Sequence, residues 1–168
     1  MNANLTIREI TPFDAPWLFK ITGDIEAVRY MGLQVHQTVH DAARLIEIYR
    51  TSPSNFVAIV DQASPGELLG VIAFEVQGHS AAIGIKLNRT DKRVRGAGRR
   101  VCKPFVDILL QQPGIWRVWS YCHVDNVPGR RVTERSGAVC EGVMRRYAVF
   151  PNLGPEPQDC RLYAIVRR

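Results

Sequence analysis

An α+β domain is the fold class this sequence predicts, on three observations. Short β-patterned runs and helical runs are mixed along the chain without strict alternation. Two helix starts carry a reciprocal capping signature, and three β-type runs follow one another with only turn residues between them. At 168 residues and 46% hydrophobic content, the chain suffices for one well-packed domain, 1–168, and is short for two.

LTIREI (Leu5 to Ile10) roughly alternates apolar and polar residues, the period of a half-buried strand. Thr11-Pro12-Phe13-Asp14 reads as a capping box with Pro at the first helical position, opening a helix to about Thr22. A second helix is expected over Asp24 to Tyr30. Thr38-Val39-His40-Asp41 repeats the capping signature, and Ala42, Leu45, Ile46 and Tyr49 follow at helical spacing toward an end near Arg50, before Pro53. Phe56 to Val60 and Leu68 to Val76 form a hairpin about the turn-rich Ala63-Ser64-Pro65-Gly66, and Ala81 to Leu87 extends the meander.

From Ala97, the residues Val101, Phe105, Ile108 and Leu109 mark one face of a helix that ends before Pro113-Gly114. Pro104 falls inside it and removes a hydrogen bond to the carbonyl of Arg100, at roughly 3 kcal/mol, so a kink is expected. Ile115 to His123 is a strand, Val127 to Ser136 a helix capped by Gly137, and Val139 to Phe150 and Cys160 to Val166 the last two strands.

No run approaches the roughly 18 apolar residues that span a bilayer, and MNANLTIREI lacks the basic-then-apolar layout of a signal peptide. A soluble cytoplasmic protein with no membrane partner is expected. Cys102, Cys122, Cys140 and Cys160 form no CxxC pair and have no nearby His cluster, so they read as reduced thiols and no metal is expected. The net charge of +6 favours an anionic partner without naming one.

RVRGAGRRV (Arg93 to Val101) is the stretch where chemistry concentrates. A Walker loop needs Lys-Ser/Thr where Arg99-Arg100 stand, and a dinucleotide fingerprint needs a third small residue where Val101 stands. What remains is a strand, a tight turn and a helix start, whose first N–H groups suit a pyrophosphate. The alternative is a glycine turn with a solvated arginine face. Nucleic-acid binding lacks a recognised motif and interleaved aromatics, and ranks below both.

Arg93-Val94-Arg95-Gly96-Ala97-Gly98 matches the [Gln/Arg]-x-x-Gly-x-[Gly/Ala] signature of the GNAT acyl-CoA N-acyltransferases. Asp125-Asn126-Val127-Pro128-Gly129, Glu134 to Ala138 and Glu141-Gly142 resemble the string of the Rim-type branch, which includes ribosomal-protein N-terminal acetyltransferases; Asp159 and Tyr163 look like the closing D-x-x-x-Y. The resemblance covers nearly the whole chain. It implies a mixed, mostly antiparallel central sheet, flanked by helices and splayed in the middle, with the cofactor in the splay.

The resemblance also implies roles. Backbone N–H groups from Arg95 through Gly96, Ala97 and Gly98 to Arg99 bind the pyrophosphate of acetyl-CoA, with Arg93, Arg99 or Arg100 assisting. Main-chain groups of Ile85, Lys86 and Leu87 pair with the pantetheine, and Asn126 bonds its other side. Transfer is direct attack of an amine, on a protein N-terminus or a small molecule, upon the thioester. The Rim-type serine is Gly129 here, and the tyrosine that relatives place seven residues after the asparagine is Thr133. Tyr121 is the leading substitute as acid, Glu75 a water-mediated proton relay and His123 a base if it shares the face of Tyr121; each is equally a packing or surface residue. Tyr30, His36 and Tyr147 line the acceptor mouth. The alternative to catalysis is a module of the same fold that holds acyl-CoA without efficient turnover. Monomer and homodimer both stay open.

Overall fold

The computed structural model describes residues 4–52 and 54–167, so the expected stop at Pro53 and the first three residues of the N-terminal reading lie outside the described residues. The elements run β1 (Leu5–Glu9), a 3-10 turn (Pro12–Asp14), α1 (Ala15–Thr22), α2 (Ile25–Val28), α3 (Val39–Thr51), β2 (Asn55–Asp61), β3 (Ser64–Gln77) and β4 (Ser80–Leu87). A 3-10 turn (Lys92–Val94) and a π-helical turn (Gly98–Cys102) lead into α4 (Lys103–Gln111), followed by β5 (Arg117–His123), α5 (Val127–Arg135), β6 (Val139–Val149) and β7 (Pro157–Val166).

The strands form one seven-stranded sheet in the order β1-β2-β3-β4-β5-β7-β6. Every neighbouring pair is antiparallel except β4 and β5. Strand alternation divides the core between its two faces. On one face Ile72, Ala81 and Val118 pack beneath Val101, Phe105 and Leu109 at the start and body of α4. On the other, Ala58, Val60 and Val71 pack beneath Leu18 and Ile21 of α1 and Ile46 of α3.

The expected capped starts form. Asp14 is buried and accepts from the Thr11 N–H at 2.8 Å, while Arg8 grips its two oxygens at 2.8 and 2.6 Å. Thr38 accepts from the Asp41 N–H, and Asp41 returns the bond to the Thr38 N–H at 2.9 Å.

The structure differs from the sequence reading in several places, among them β7, which begins at Pro157 rather than Cys160. The β2–β3 turn is only Gln62-Ala63, because Asp61 accepts the Ala63 N–H at 3.2 Å and closes it early, so Ser64-Pro65-Gly66 already belong to β3. The helix expected to Tyr30 stops at Val28, since Tyr30 turns away to stack on His123 with ring centroids 4.7 Å apart. The irregularity expected at Pro104 takes the form of a π turn: the helix runs without a break from Ala97 to Gln111, and just before the proline the Lys103 N–H reaches back to the Gly98 carbonyl across the wide turn Gly98–Cys102. Val101, Phe105 and Leu109 are buried as expected, but Ile108 is 50% exposed and Val106 is buried in its place.

Candidate active site

β4 and β5 pair over only three positions, Ser80 with Arg117, Ala81 with Val118 and Ala82 with Trp119. Beyond them the strands part, and from Ile83 to Leu87 the β4 edge toward β5 carries no ladder. The cleft opened there on the α4 and α5 side is lined by Ile83, Ile85, Ser120, Thr133, Ser136 and Tyr163. Tyr163 is fully buried and donates its hydroxyl to Glu134 of α5 at 3.0 Å, which ties β7 to that wall.

The glycine turn stands at the end of this cleft. Gly96 has φ +75, a conformation that glycine adopts without steric cost. Its carbonyl accepts the Arg99 and Arg100 N–H groups at 3.0 and 3.1 Å, and the Arg95 N–H bonds to Lys92. The N–H groups of Arg95 and Arg99, expected to face a pyrophosphate, are therefore already bonded within the turn, and only those of Gly96, Ala97 and Gly98, at the helix start, are left for a ligand.

Gly98 also meets a packing demand. It is buried, and a Cβ there would meet the Val132 carbonyl oxygen of α5 at 2.6 Å. Its missing side chain lets the π turn lie against α5.

The arginines divide their work. Arg93 donates to Glu67 at 2.7 Å and to Asp91 at 2.7 Å, and these carboxylates hold its pKa above the ordinary value. Arg100 folds back onto the carbonyls of Arg93, at 2.7 Å, and of Arg95. Arg99 is exposed.

Asn126 caps α5, accepting the Gly129 N–H at 3.0 Å. A Cβ on Gly129 would come within 2.6 Å of the Asn126 amide nitrogen, so the residue that replaces the expected serine is the one that lets the amide fold over the helix start. The Thr133 hydroxyl donates to the Gly129 carbonyl at 3.1 Å.

The opposite face of the parted strands looks toward α1–α3. β5 runs without a bulge against β7, so Tyr121 and His123 share this face and Cys122 turns to the other, where its thiol meets the Asn126 carbonyl at 3.6 Å. Burial pushes Cys122 up to about 12, which keeps it a thiol. Tyr121 is 44% exposed and packs edge-on to Tyr147 at 5.0 Å. Burial, then the neighbouring Tyr147, raises its pKa, so the phenol is protonated at neutral pH.

His123 is buried between Tyr30 and Phe150, and its Nδ1 accepts the Asp125 N–H at 3.1 Å. The proton of the neutral ring is then on Nε2. Glu75 accepts from Ser54 at 3.1 Å and Gln77 at 2.8 Å, and pairs across the ladder with Ala82, beside the closed end of the splay.

Two residues on this face carry no motif and escaped sequence reasoning. Asn152, between β6 and β7, donates to the carbonyls of Val28 at 3.0 Å and Leu33 at 2.8 Å and accepts the Val35 N–H at 3.1 Å. It pins the segment that carries Tyr30, Met31 and His36. The side chain of Lys86 shares the face, 7% exposed and in contact with the Met31 sulfur; only its main chain was singled out from sequence. His36 has a buried Nδ1 without a hydrogen-bond partner, and burial lowers its pKa.

The Acetyltransferase (GNAT) domain family matches residues 4–139. The chain belongs to the GNAT acetyltransferase family. This GNAT chain is 27% identical to a Bacillus subtilis protein named Uncharacterized N-acetyltransferase YoaA, over 97% of its own length and 93% of that protein. Its fold is that of a GNAT-family acetyltransferase of Bacillus anthracis, with TM-score 0.83 and 21% identity over 99% of this chain and 96% of that one. It is equally shared with RimL, a ribosomal L7/L12 alpha-N-protein acetyltransferase solved with CoA, at TM-score 0.79 and 17% identity over 97% and 94% of the two chains.

Proposed function

We propose that the protein transfers an acetyl group from acetyl-CoA to a primary amine, on a protein N-terminus or a small molecule, by direct attack on the thioester. The observation that carries this reading is the parting of β4 from β5 after three residue pairs, in a chain of the GNAT family. The unladdered edge at Ile85, Lys86 and Leu87 offers amide donors and acceptors to the pantetheine as a further strand would. The first-turn N–H groups at Gly96, Ala97 and Gly98 receive the pyrophosphate, aided by the helix dipole and Arg99.

The acceptor approaches from the α1–α3 face, past Tyr30, His36 and Tyr147. A β4 N–H stabilises the oxyanion, and the phenol of Tyr121, protonated at neutral pH, gives its proton to the departing thiolate. His123 serves as a donor through Nε2, since Nδ1 is taken up by Asp125. Glu75 relays the amine proton through water.

A thermal melt with CoA tests the binding half. Ligand at about 100 times its dissociation constant adds about 2.7 kcal/mol, or about 5–11 °C for a chain of this size. Acetyl-CoA with an amine panel, read as free thiol, tests transfer. Turnover at the enzyme-free rate with an intact melting shift would leave the second reading, an acyl-CoA-binding module, which is favoured by the glycine at position 129 and by the internal hydrogen bond of Thr133.

A further inference from the structure

Lys86 is placed unlike any ordinary lysine. It lies on the unladdered stretch of β4, and alternation points it away from Ile83, Ile85 and Leu87, which pack toward α4. It is 7% exposed, and its Nζ meets the thioether of Met31, a weak acceptor that cannot neutralise a charge. Among the described residues no carboxylate forms an ion pair with it. Asp24, the N-cap of α2, acts on it only through space, and His36 stands beside it with an unpartnered ring nitrogen. An uncompensated ammonium is costly in such a site, so burial favours the neutral amine.

We infer that Lys86 is itself an acyl-acceptor site: its Nζ attacks the carbonyl carbon of an acyl-CoA bound along β4, forming an Nε-acyl-lysine as the carbon–sulfur bond breaks, and the proton lost by nitrogen leaves with the CoA thiol. The inference rests on the acyl-CoA reading above. Burial takes the Lys86 pKa from its ordinary value to about 7, against the opposing pull of Asp24. At pH 7 about half of such a group is neutral, against well under a thousandth of an unperturbed lysine, a preference of about 10³-fold from the neutral fraction alone. Acylation would also fill the space beside Met31 with an uncharged amide.

The full chain is incubated with acetyl-CoA at several pH values, and acetylated peptides are followed by mass. Lys86 is expected to acquire acetyl about 10³-fold faster than exposed Lys92 at pH 7, with a rate that rises with pH and levels above about 7. Asp24→Asn keeps a helix cap and removes the opposing carboxylate, so the rise moves to lower pH. A CoA-induced melting shift without acetylation at Lys86, or acetylation no faster than at Lys92, overturns this inference and leaves the function above intact. No melting shift with CoA overturns both.

Discussion

Replacing Gly98 by Ala should destabilise the protein through helix packing. The added methyl would stand 2.6 Å from the Val132 carbonyl oxygen and 3.3 Å from its Cα. Ordinary contact begins at 3.4 Å, so the π turn and α5 must separate by several tenths of an ångström, and the obstacle is backbone that no rotamer change can move aside. Overpacking of this kind costs about 1–3 kcal/mol, and each kcal/mol lowers the melting temperature of a chain this size by about 2–4 °C.

Gly96→Ala provides the contrast. Its φ of +75 makes any side chain strained, at about 1–2 kcal/mol, yet the nearest atom is the Arg100 Nε at 3.6 Å. Thermal melts of both variants, with and without CoA, separate the two effects. Gly98→Ala should lose stability without ligand and also displace the turn that offers its N–H groups. A Gly98→Ala protein melting within about 1 °C of the parent would refute the packing account, because the stated minimum cost exceeds that shift.

Asn152→Ala removes three hydrogen bonds at once and should cost about 2–3 kcal/mol, with faster amide exchange confined to residues 28–35; unchanged exchange there would contradict the pinning role. Asp14 is held below its ordinary pKa despite burial, by Arg8 and then by Thr11, so its contribution is present above about pH 4 and is lost as pH falls through its depressed folded value. Asp14→Asn should therefore lose about 2–3 kcal/mol at pH 7, where Arg8 is left half-paired, and flatten the acid limb of a stability-against-pH curve. Tyr121→Phe should lower kcat about 10²-fold and spare CoA binding if the phenol protonates the thiolate; an unchanged kcat would assign Tyr121 to packing against Tyr147.

Local signals carried most of the fold. The Thr11 and Thr38 caps, the Gly137 stop and the alternation in Ala81 to Leu87 act over a few residues, and each element forms near its expected place. Tyr30 reads as helical from sequence because its partner, His123, is remote in sequence, and no local pattern reports such a stack. At the site, the glycine turn was legible as a motif, but the separate tasks of Gly96 and Gly98 were not, since α5 lies against only the second. Lys86 looked like one more residue in an apolar strand; its burial depends on Met31, which a different loop delivers. Asn152 bears no signature at all, because an asparagine becomes a clamp only when three backbone groups are brought to it.

The strand order also sets a timetable for folding. β1 to β4 pair only with their neighbours in chain order, so their ladders can close before anything beyond Leu87 exists. The helical face of that half cannot: Ile72, Phe74 and Ile83 stay bare until Val101 and Phe105 arrive. A nascent chain emerging from N- to C-terminus therefore passes through an interval in which a four-stranded sheet exposes one oily side. The short β4–β5 ladder is the joint at which the second half of the sheet meets that platform.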